Sequence, residues 1–252
     1  MRYFIITGTS RGIGESLAKI LLNDENNQVI CISRGMSENL NFHSGLKPVN
    51  VFNFSFDLNN LSDIESLFQS VFSFINEDNV DSIYLINNAG ILSPIGPIEE
   101  TISEDVIRNI NVNLIAPILL TSHFIKYTKN WKIDKRVLNI SSGSAKYLLP
   151  SQSPYSTAKA GLDSFTKSIY LEQKEEPFPV KVASVYPGVI DTKLQTEIRS
   201  TSKEKFPYVE LFNQLYEEGK LQTPLETAEK LIQLLMSSDY GKETLVEELT
   251  QM

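Results

Sequence analysis

Apolar residues recur along the chain in two alternating rhythms. Short continuous runs, Tyr3-Phe4-Ile5-Ile6, then residues 28–33 and 49–56, are each followed by turn-forming residues. Runs of that length predict strands buried on both faces. Between them Leu17, Ile20 and Leu21 take helical spacing, and Ile64, Leu67, Phe68, Val71, Phe72 and Ile75 form a fuller stripe over 62–75. Residues 35–48 leave room for a short helix at most. The alternation continues with strands at 83–86, 136–140 and 180–186, helices at 103–130 and 155–172, and a short closing strand at Leu245 and Val246. Pro117 is expected to kink the first of those helices. Strands alternating with helices predict an α/β fold, a doubly wound parallel sheet covered on both faces. No repeat, low-complexity tract or linker divides the 252 residues, so a single domain over 1–252 is expected.

Composition narrows the partners. A formal charge of −8, from 23 Lys and Arg against 31 Asp and Glu, argues against nucleic acid or an anionic membrane surface. No apolar run approaches the roughly 18 residues a bilayer-spanning helix needs. Met1 and Arg2 lead straight into a strand rather than a signal peptide, so a cytoplasmic protein is expected. The single Cys31 falls in the second strand, which predicts a buried thiol. The two histidines, His43 and His123, have no metal-ligand spacing; surface or packing roles are expected, with no metal site.

Candidate chemistry starts at Thr7-Gly8-Thr9-Ser10-Arg11-Gly12-Ile13-Gly14, between the first strand and the first helix. Strand, glycine turn and helix in that order are the setting of a dinucleotide site. Gly8 suits the tight turn, Gly12 lets backbone approach a pyrophosphate, and Gly14 lets helix pack closely on strand. The helix N-terminus then faces the negative charge. At the end of the second strand, where an NAD enzyme carries an acidic residue for the ribose hydroxyl, the chain has Ser33 and Arg34, with Arg11 as a second cation. Guanidinium groups bind phosphate through forked hydrogen bonds, so NADP(H) is favoured. Tyr155 and Lys159 are four residues apart and share a helix face. A cation there is expected to lower the tyrosine from its ordinary pKa of about 10.

Taken in order, these elements resemble the short-chain dehydrogenase/reductase family. They are the turn from Thr7 to Gly14, Asn87-Asn88-Ala89-Gly90, Asn113, Ser142, Tyr155 with Lys159, and Pro187-Gly188 leading into Val189-Ile190-Asp191-Thr192. The resemblance implies a Rossmann-like fold and hydride transfer between NADP(H) and a carbonyl. It implies Tyr155 as proton donor, Ser142 as hydrogen-bond donor to the carbonyl oxygen, Lys159 as tyrosine activator and ribose contact, and Asn113 as anchor of a proton-passing water. It also implies cofactor contacts from Gly8, Ser10, Arg11, Gly12, Ile13, Gly14, Ser33 and Arg34. Asp57 and Leu58 would meet the adenine, and Asn88, Ala89 and Gly90 a ribose. Tyr155, Lys159, Pro187, Gly188, Val189, Ile190 and Thr192 complete the expected cofactor set.

Within that family, residues 141–146, 187–192 and 195–205 are similar to bacterial NADPH-dependent benzil reductases and the related sepiapterin reductases. Before Tyr155, where such enzymes often carry a Gly-Trp pair, the chain reads Pro150-Ser151-Gln152-Ser153-Pro154, so a different pocket wall is expected. Leu148 and Leu149 are candidates for an apolar wall. Residues 191–222 are expected to be helical, either closing over the pocket or packing on the domain body. A small-molecule carbonyl substrate and a homodimer, or a tetramer, are expected. Two rival readings remain: a β-ketoacyl carrier-protein reductase, which calls for a cationic surface, and an NADPH-binding sensor without catalysis, which would not need Ser142, Tyr155 and Lys159 together.

Overall fold

Alternate residues of each central strand supply opposite faces of one parallel sheet. On one face Ile5, Ile30, Ile83, Leu85, Val137 and Val182 are buried, and on the other Phe4, Ile6, Val29, Ile86, Leu138 and Val185. The computed structural model describes residues 1–35, 37 and 50–249. Its strands are β1 (Arg2–Thr7), β2 (Asn27–Ser33), β3 (Val51–Ser55), β4 (Ser82–Asn87), β5 (Asp134–Ile140), β6 (Val180–Val185) and β7 (Leu245–Val246). All pair in parallel, in the order β3-β2-β1-β4-β5-β6-β7. The expected doubly wound, Rossmann-like sheet of one α/β domain is therefore found, the weak strand at Leu245 included. The expected short helix within 35–48, and His43, lie outside the described residues except for Gly35 and Ser37.

Helices cover both faces because each presents one apolar stripe. On the first face lie α2 (Ile64–Ser73), α4 (Ala116–Thr128) and α5 (Ser153–Gln173), burying Phe68, Phe124 and Ile169 among others. On the second lie α1 (Gly12–Leu21) and α8 (Pro224–Met236), through Leu17, Ala18, Leu231 and Leu235. A capping box starts α8, with Thr223 and Glu226 satisfying each other's backbone N–H groups. Arg136 on β5 closes its other end, donating to the carbonyls of Leu235 (2.5 Å) and Ser237 (2.8 Å).

The long helix expected over 103–130 is three pieces. α3 (Ser103–Ile110) runs into a π-helical turn at Asn111–Ile115 and then into α4. Pro117 lies just inside α4 rather than kinking a regular helix. It has no N–H to offer the carbonyl of Asn113, four residues earlier, and the backbone widens there instead: Ala116 N–H bonds back to Asn111 O.

The segment after Pro187-Gly188 leaves the sheet and returns to the same place. Ile190 and Gln222 form a parallel bridge, with Asp191 N–H donating to Gln222 O and Gln222 N–H to Val189 O, both at 2.9 Å. Between them stand α6 (Lys193–Arg199) and α7 (Val209–Glu217). Phe206 is fully buried against Tyr208 and Phe212, and the Arg199 guanidinium stacks on Tyr216 at 3.8 Å.

Candidate active site

The sheet order reverses between β1 and β4, and the crevice at the carboxyl ends of the strands on either side of that point is where such folds bind ligands. A cavity of about 550 Å³ opens there. Its wall takes Gly8, Ser10, Arg11, Gly12 and Ile13 from the turn after β1, and Ser33 and Arg34 from the end of β2. Asp57 and Leu58 come from the loop after β3, and Asn88, Ala89 and Gly90 from the end of β4. Ser142, Tyr155 and Lys159 form the centre, and Pro187, Gly188, Val189, Ile190 and Thr192 the far side. Two sequence-expected residues, Gly14 and Asn113, do not reach the wall.

The glycine turn has room for a dinucleotide. Gly8 (φ +75°) and Gly12 (φ +61°) adopt left-handed backbone that L side chains rarely take. A Cβ on Gly12 would meet nothing nearer than the Thr192 methyl at 3.5 Å, so space lies in front of the turn. Gly14 faces the other way: a Cβ there would fall 2.4 Å from Gly8 O and 2.5 Å from Asn88 Nδ2. Gly14 thus allows helix to approach the turn and the end of β4. Asn88 is the clamp, its Nδ2 donating to Thr7 O at 2.9 Å while Thr7 Oγ1 accepts from the Asn88 and Ala89 N–H groups at 3.0 Å.

Where the adenosine ribose would lie, Thr9 Oγ1 donates to Ser33 Oγ at 3.3 Å. Arg11 and Arg34 are exposed, and among the described residues neither pairs with a carboxylate. The carboxylate in that part of the wall, Asp57, is occupied by Arg108 at 3.6 Å. Glycine turn, helix N-terminus and free cations together fit a phosphate-bearing dinucleotide.

At the centre, α5 carries Tyr155 and Lys159 beneath the end of β5. The Lys159 ammonium donates to Ile140 O at 2.8 Å and lies 5.7 Å from the centre of the Tyr155 ring. Ser142, two residues past the end of β5, is the N-cap of a short 3₁₀ turn, its Oγ accepting from Ser144 N–H at 3.1 Å. The Ser142 hydroxyl neighbours the Tyr155 phenol in the cavity wall and acts to lower its pKa. Burial pulls Lys159 down to about 8, and Asp163 one turn further along α5 pushes it back up. Burial also raises Tyr155, opposed by the Ser142 hydroxyl. The expected lowering of the tyrosine by its lysine is therefore not found in the protein alone: desolvation outweighs a cation that burial itself discourages.

Asn113 is locked in place. Its Oδ1 accepts from Ile91 N–H (3.0 Å), and its Nδ2 donates to Ile91 O (2.7 Å) and Asn109 Oδ1 (2.9 Å). With that side chain committed, any water at Asn113 would have to be held by its backbone carbonyl, which Pro117 leaves without its α-helical donor. Gly90 separates Asn113 from Lys159, since a Cβ there would be 3.1 Å from Asn113 Oδ1 and 3.8 Å from Lys159 Nζ.

Of the expected apolar wall, Leu149 lines the cavity, whereas Leu148 points to solvent at 72% exposure. Leu194, Ile198 and Phe212 from the 191–222 segment reach the cavity, while Phe206 packs inward and Tyr208 and Leu211 stay exposed. The segment thus both lines the cavity and packs on the domain body. Cys31 is buried, and burial raises its thiol to about 11 against an opposing Thr9 hydrogen bond. His123 packs on Phe68, 5.9 Å between rings. Sequence reasoning missed Gln152, Gln195 and Arg108 in the wall, and Asp163 behind it. Only Asp163 had a signal, its position four residues past Lys159.

Comparison with known proteins agrees with this geometry. The family model described as short chain dehydrogenase matches residues 2–203. The chain is 45% identical over 240 residues to a benzil reductase ((S)-benzoin forming) of Bacillus cereus, covering 95% of this chain and 96% of the relative. It is 37% identical to a benzil reductase ((S)-benzoin forming) of Bacillus subtilis, covering 93% of each. The crystal structure of the KRED1-Pglu enzyme superposes with a TM-score of 0.82 at 26% identity, covering 98% of this chain and 100% of that one. Among the described residues no helix is long and apolar enough to cross a membrane. The chain belongs to the short-chain dehydrogenase family, and is an oxidoreductase acting on carbonyl or hydroxyl groups with a nicotinamide dinucleotide cofactor.

Proposed function

We propose that this protein is an NADPH-dependent carbonyl reductase for ketones or diketones of the benzil type, with Tyr155 as its proton donor. The observation that carries the proposal is the convergence of Ser142, Tyr155 and Lys159 in the wall of the cavity onto which the glycine turn also opens, with the Lys159 ammonium 5.7 Å from the Tyr155 ring. The 45% identity to a benzil reductase supports the substrate class. Arg11, Arg34 and Ser33, with neither arginine paired to a carboxylate among the described residues, support NADPH over NADH.

When bound, the cofactor supplies hydride to the carbonyl carbon. Ser142 donates a hydrogen bond to the carbonyl oxygen and holds it where negative charge develops. Tyr155 gives its proton to that oxygen. In the protein alone Tyr155 is a weak acid, so its proton stays on until the developing alkoxide draws it. Lys159 then favours the phenolate, and with Tyr155 would hold the nicotinamide ribose. Asn113, through its freed carbonyl, would hold a water that returns the proton by way of Lys159. Ser10, Gly12 and Ile13 at the start of α1 would meet the pyrophosphate, Asp57 and Leu58 the adenine, and Pro187 to Thr192 the nicotinamide end.

Tyr155→Phe tests the assignment. It keeps the ring and removes one hydroxyl, so fold and NADPH binding should survive while benzil reduction, followed by NADPH consumption, falls by about 10²–10⁴. A phenylalanine variant reducing benzil at near wild-type rate would refute the proton-donor role.

A further inference from the structure

Among the large apolar residues that line the cavity, two stay exposed, Val189 at 39% and Tyr147 at 65%. Val189 belongs to the stretch assigned to the nicotinamide end of the cofactor. Tyr147 has no such assignment. The other aromatic rings in the wall, Phe56, Tyr155, Tyr186 and Phe212, are buried or half-buried. A lone exposed apolar residue on an open surface needs no explanation. An open aromatic ring in a concave wall is different, because such rings are what ligand pockets are lined with.

The turn after β5 sets that ring beside the reacting end. Ser142 caps the 3₁₀ turn Gly143–Ala145, and Lys146 N–H and Tyr147 N–H both donate to Gly143 O, at 3.0 and 2.8 Å. Tyr147 is thereby folded back against the residue that follows Ser142. A Cβ on Gly143 would lie 3.8 Å from Tyr147 Cδ2, in ordinary contact with the ring edge. Lys146 steadies the ring as well. Its Nζ stands over the ring, 5.5 Å from the centre, and donates to both oxygens of Glu247, just past β7, at 2.8 and 2.5 Å. Attraction between ammonium and ring face restrains a side chain that burial does not. Leu149, two residues on, lines the same wall.

We propose that Tyr147 is a specificity-determining residue whose ring stacks on an aryl substituent of the carbonyl substrate, so that the site selects aryl over alkyl ketones. This rests on the reading of the cavity as a carbonyl-reducing site and names the substituent that site prefers. With the reacting oxygen held at Ser142, the ring against neighbouring Gly143 stands where a substituent of the substrate would lie. Two aromatic rings attract through offset or edge-to-face contact beyond the apolar area they bury. A methyl group in the same place has no ring to offer and buries less. The chemistry at the reacting carbon is unchanged: hydride arrives there and the Tyr155 proton goes to its oxygen.

The test compares benzil with 2,3-butanedione, the same pair of carbonyls carrying methyls in place of phenyls, on wild type, Tyr147→Ala and Tyr147→Phe. The two diketones differ in intrinsic reactivity, so the wild-type preference is no evidence; its change on substitution is. Tyr147→Ala should lower kcat/KM for benzil by about tenfold, as for one lost aromatic pair, and leave 2,3-butanedione within about twofold. Tyr147→Phe keeps the ring and should stay within about twofold on both. The benzil loss should fall on KM with kcat kept, because a ring away from the reacting carbon is held alike in substrate and transition state. A disturbed Ser142 would instead lower kcat, and that split decides even if 2,3-butanedione turns over too slowly to compare. NADPH affinity and thermal midpoint are the controls for folding, and Tyr147→Ser removes the same ring should the alanine variant lose either. Loss of a control in both truncations would make Tyr147 a structural residue and overturn the proposal. Equal losses on the two diketones, an unchanged ratio, or a phenylalanine variant as impaired as the alanine one would also overturn it. A wild-type protein that bound NADPH and reduced neither diketone would overturn the carbonyl-reductase reading itself, a different failure from an unchanged ratio.

Discussion

Lys159 is held at a cost to the fold, and that cost has a pH signature. The residue is 4% exposed, and burial moves it from its ordinary 10.5 to about 8. Between those values the unfolded chain holds a proton that the folded protein has released, so stability rises with pH across that window. Below it, keeping Lys159 charged in the folded state costs about 3 kcal/mol, at roughly 1.4 kcal/mol per pH unit. Lys159→Met removes this penalty along with the bond to Ile140 O, worth about 1 kcal/mol. The variant should therefore be more stable than wild type at neutral pH by about 2 kcal/mol. That advantage should shrink by about 2 kcal/mol between pH 7 and pH 9.5, because only wild type gains as its folded lysine is neutralised while the unfolded one keeps its proton. Urea unfolding at matched m-values over that range measures the difference directly, and tyrosines and Cys31, common to both proteins, cancel. A wild-type-minus-variant difference that stayed flat with pH, or a variant less stable at pH 7, would refute the reasoning. Activity gives the complement: the stabilised variant should be nearly inactive and bind NADPH more weakly.

Arg34→Asp should weaken NADPH by roughly 1.5–3 kcal/mol and NADH little, measured by fluorescence titration; equal wild-type affinities for the two would end the phosphate assignment. Gly14→Ala puts a Cβ 2.4 Å from Gly8 O and 2.5 Å from Asn88 Nδ2. It should cost about 1–3 kcal/mol of overpacking, read as a lower urea midpoint, and loosen NADPH by displacing the Asn88 clamp. Exposed Ile107 on α3 and Leu171 on α5 support the expectation of a homodimer. Light scattering should return twice the 28.4 kDa chain mass or more, and a monomer at micromolar concentration would refute it.

What the sequence made legible is what depends on local pattern. The seven strands were readable because each is a short apolar run closed by a turn, and the parallel order follows from the helices between them. The glycine turn was readable because positive φ restricts residue choice: Gly8 and Gly12 occupy left-handed backbone. Boundaries moved where the first turn rather than the apolar pattern decides, as at α5, which begins at Ser153, with Pro154 in its first turn, instead of at Tyr155. The π-turn at Asn111–Ile115 was not legible, because its apolar spacing reads as an ordinary helix and only Pro117 hints at the lost donor. Gln152 carries no local mark either. Its burial follows from the left-handed Ser151 and from Gly96, far away in sequence, fixing the loop.

The sign of the Tyr155 shift shows why pairwise reasoning from spacing stops short. Four residues on one helix face do bring lysine and tyrosine together, but the same burial that shapes the cavity works against charge on both. What compensates lies a turn further on. Asp163, 7% exposed, accepts hydrogen bonds from Ser184 Oγ at 2.5 Å and Tyr186 Oη at 2.8 Å, and its charge supports the ammonium of Lys159. Tyr155, Lys159 and Asp163 thus form a single stripe on α5, phenol, cation and anion in succession. Its anionic end is fastened to β6, immediately before Pro187-Gly188. A buried pair of opposite charges of this kind gains little net stability, since desolvation offsets most of the attraction. Its effect is geometric: the helix bearing Tyr155 and the strand leading into the Pro187–Thr192 wall are tied through one carboxylate. Cutting that tie would disturb both sides of the cavity together.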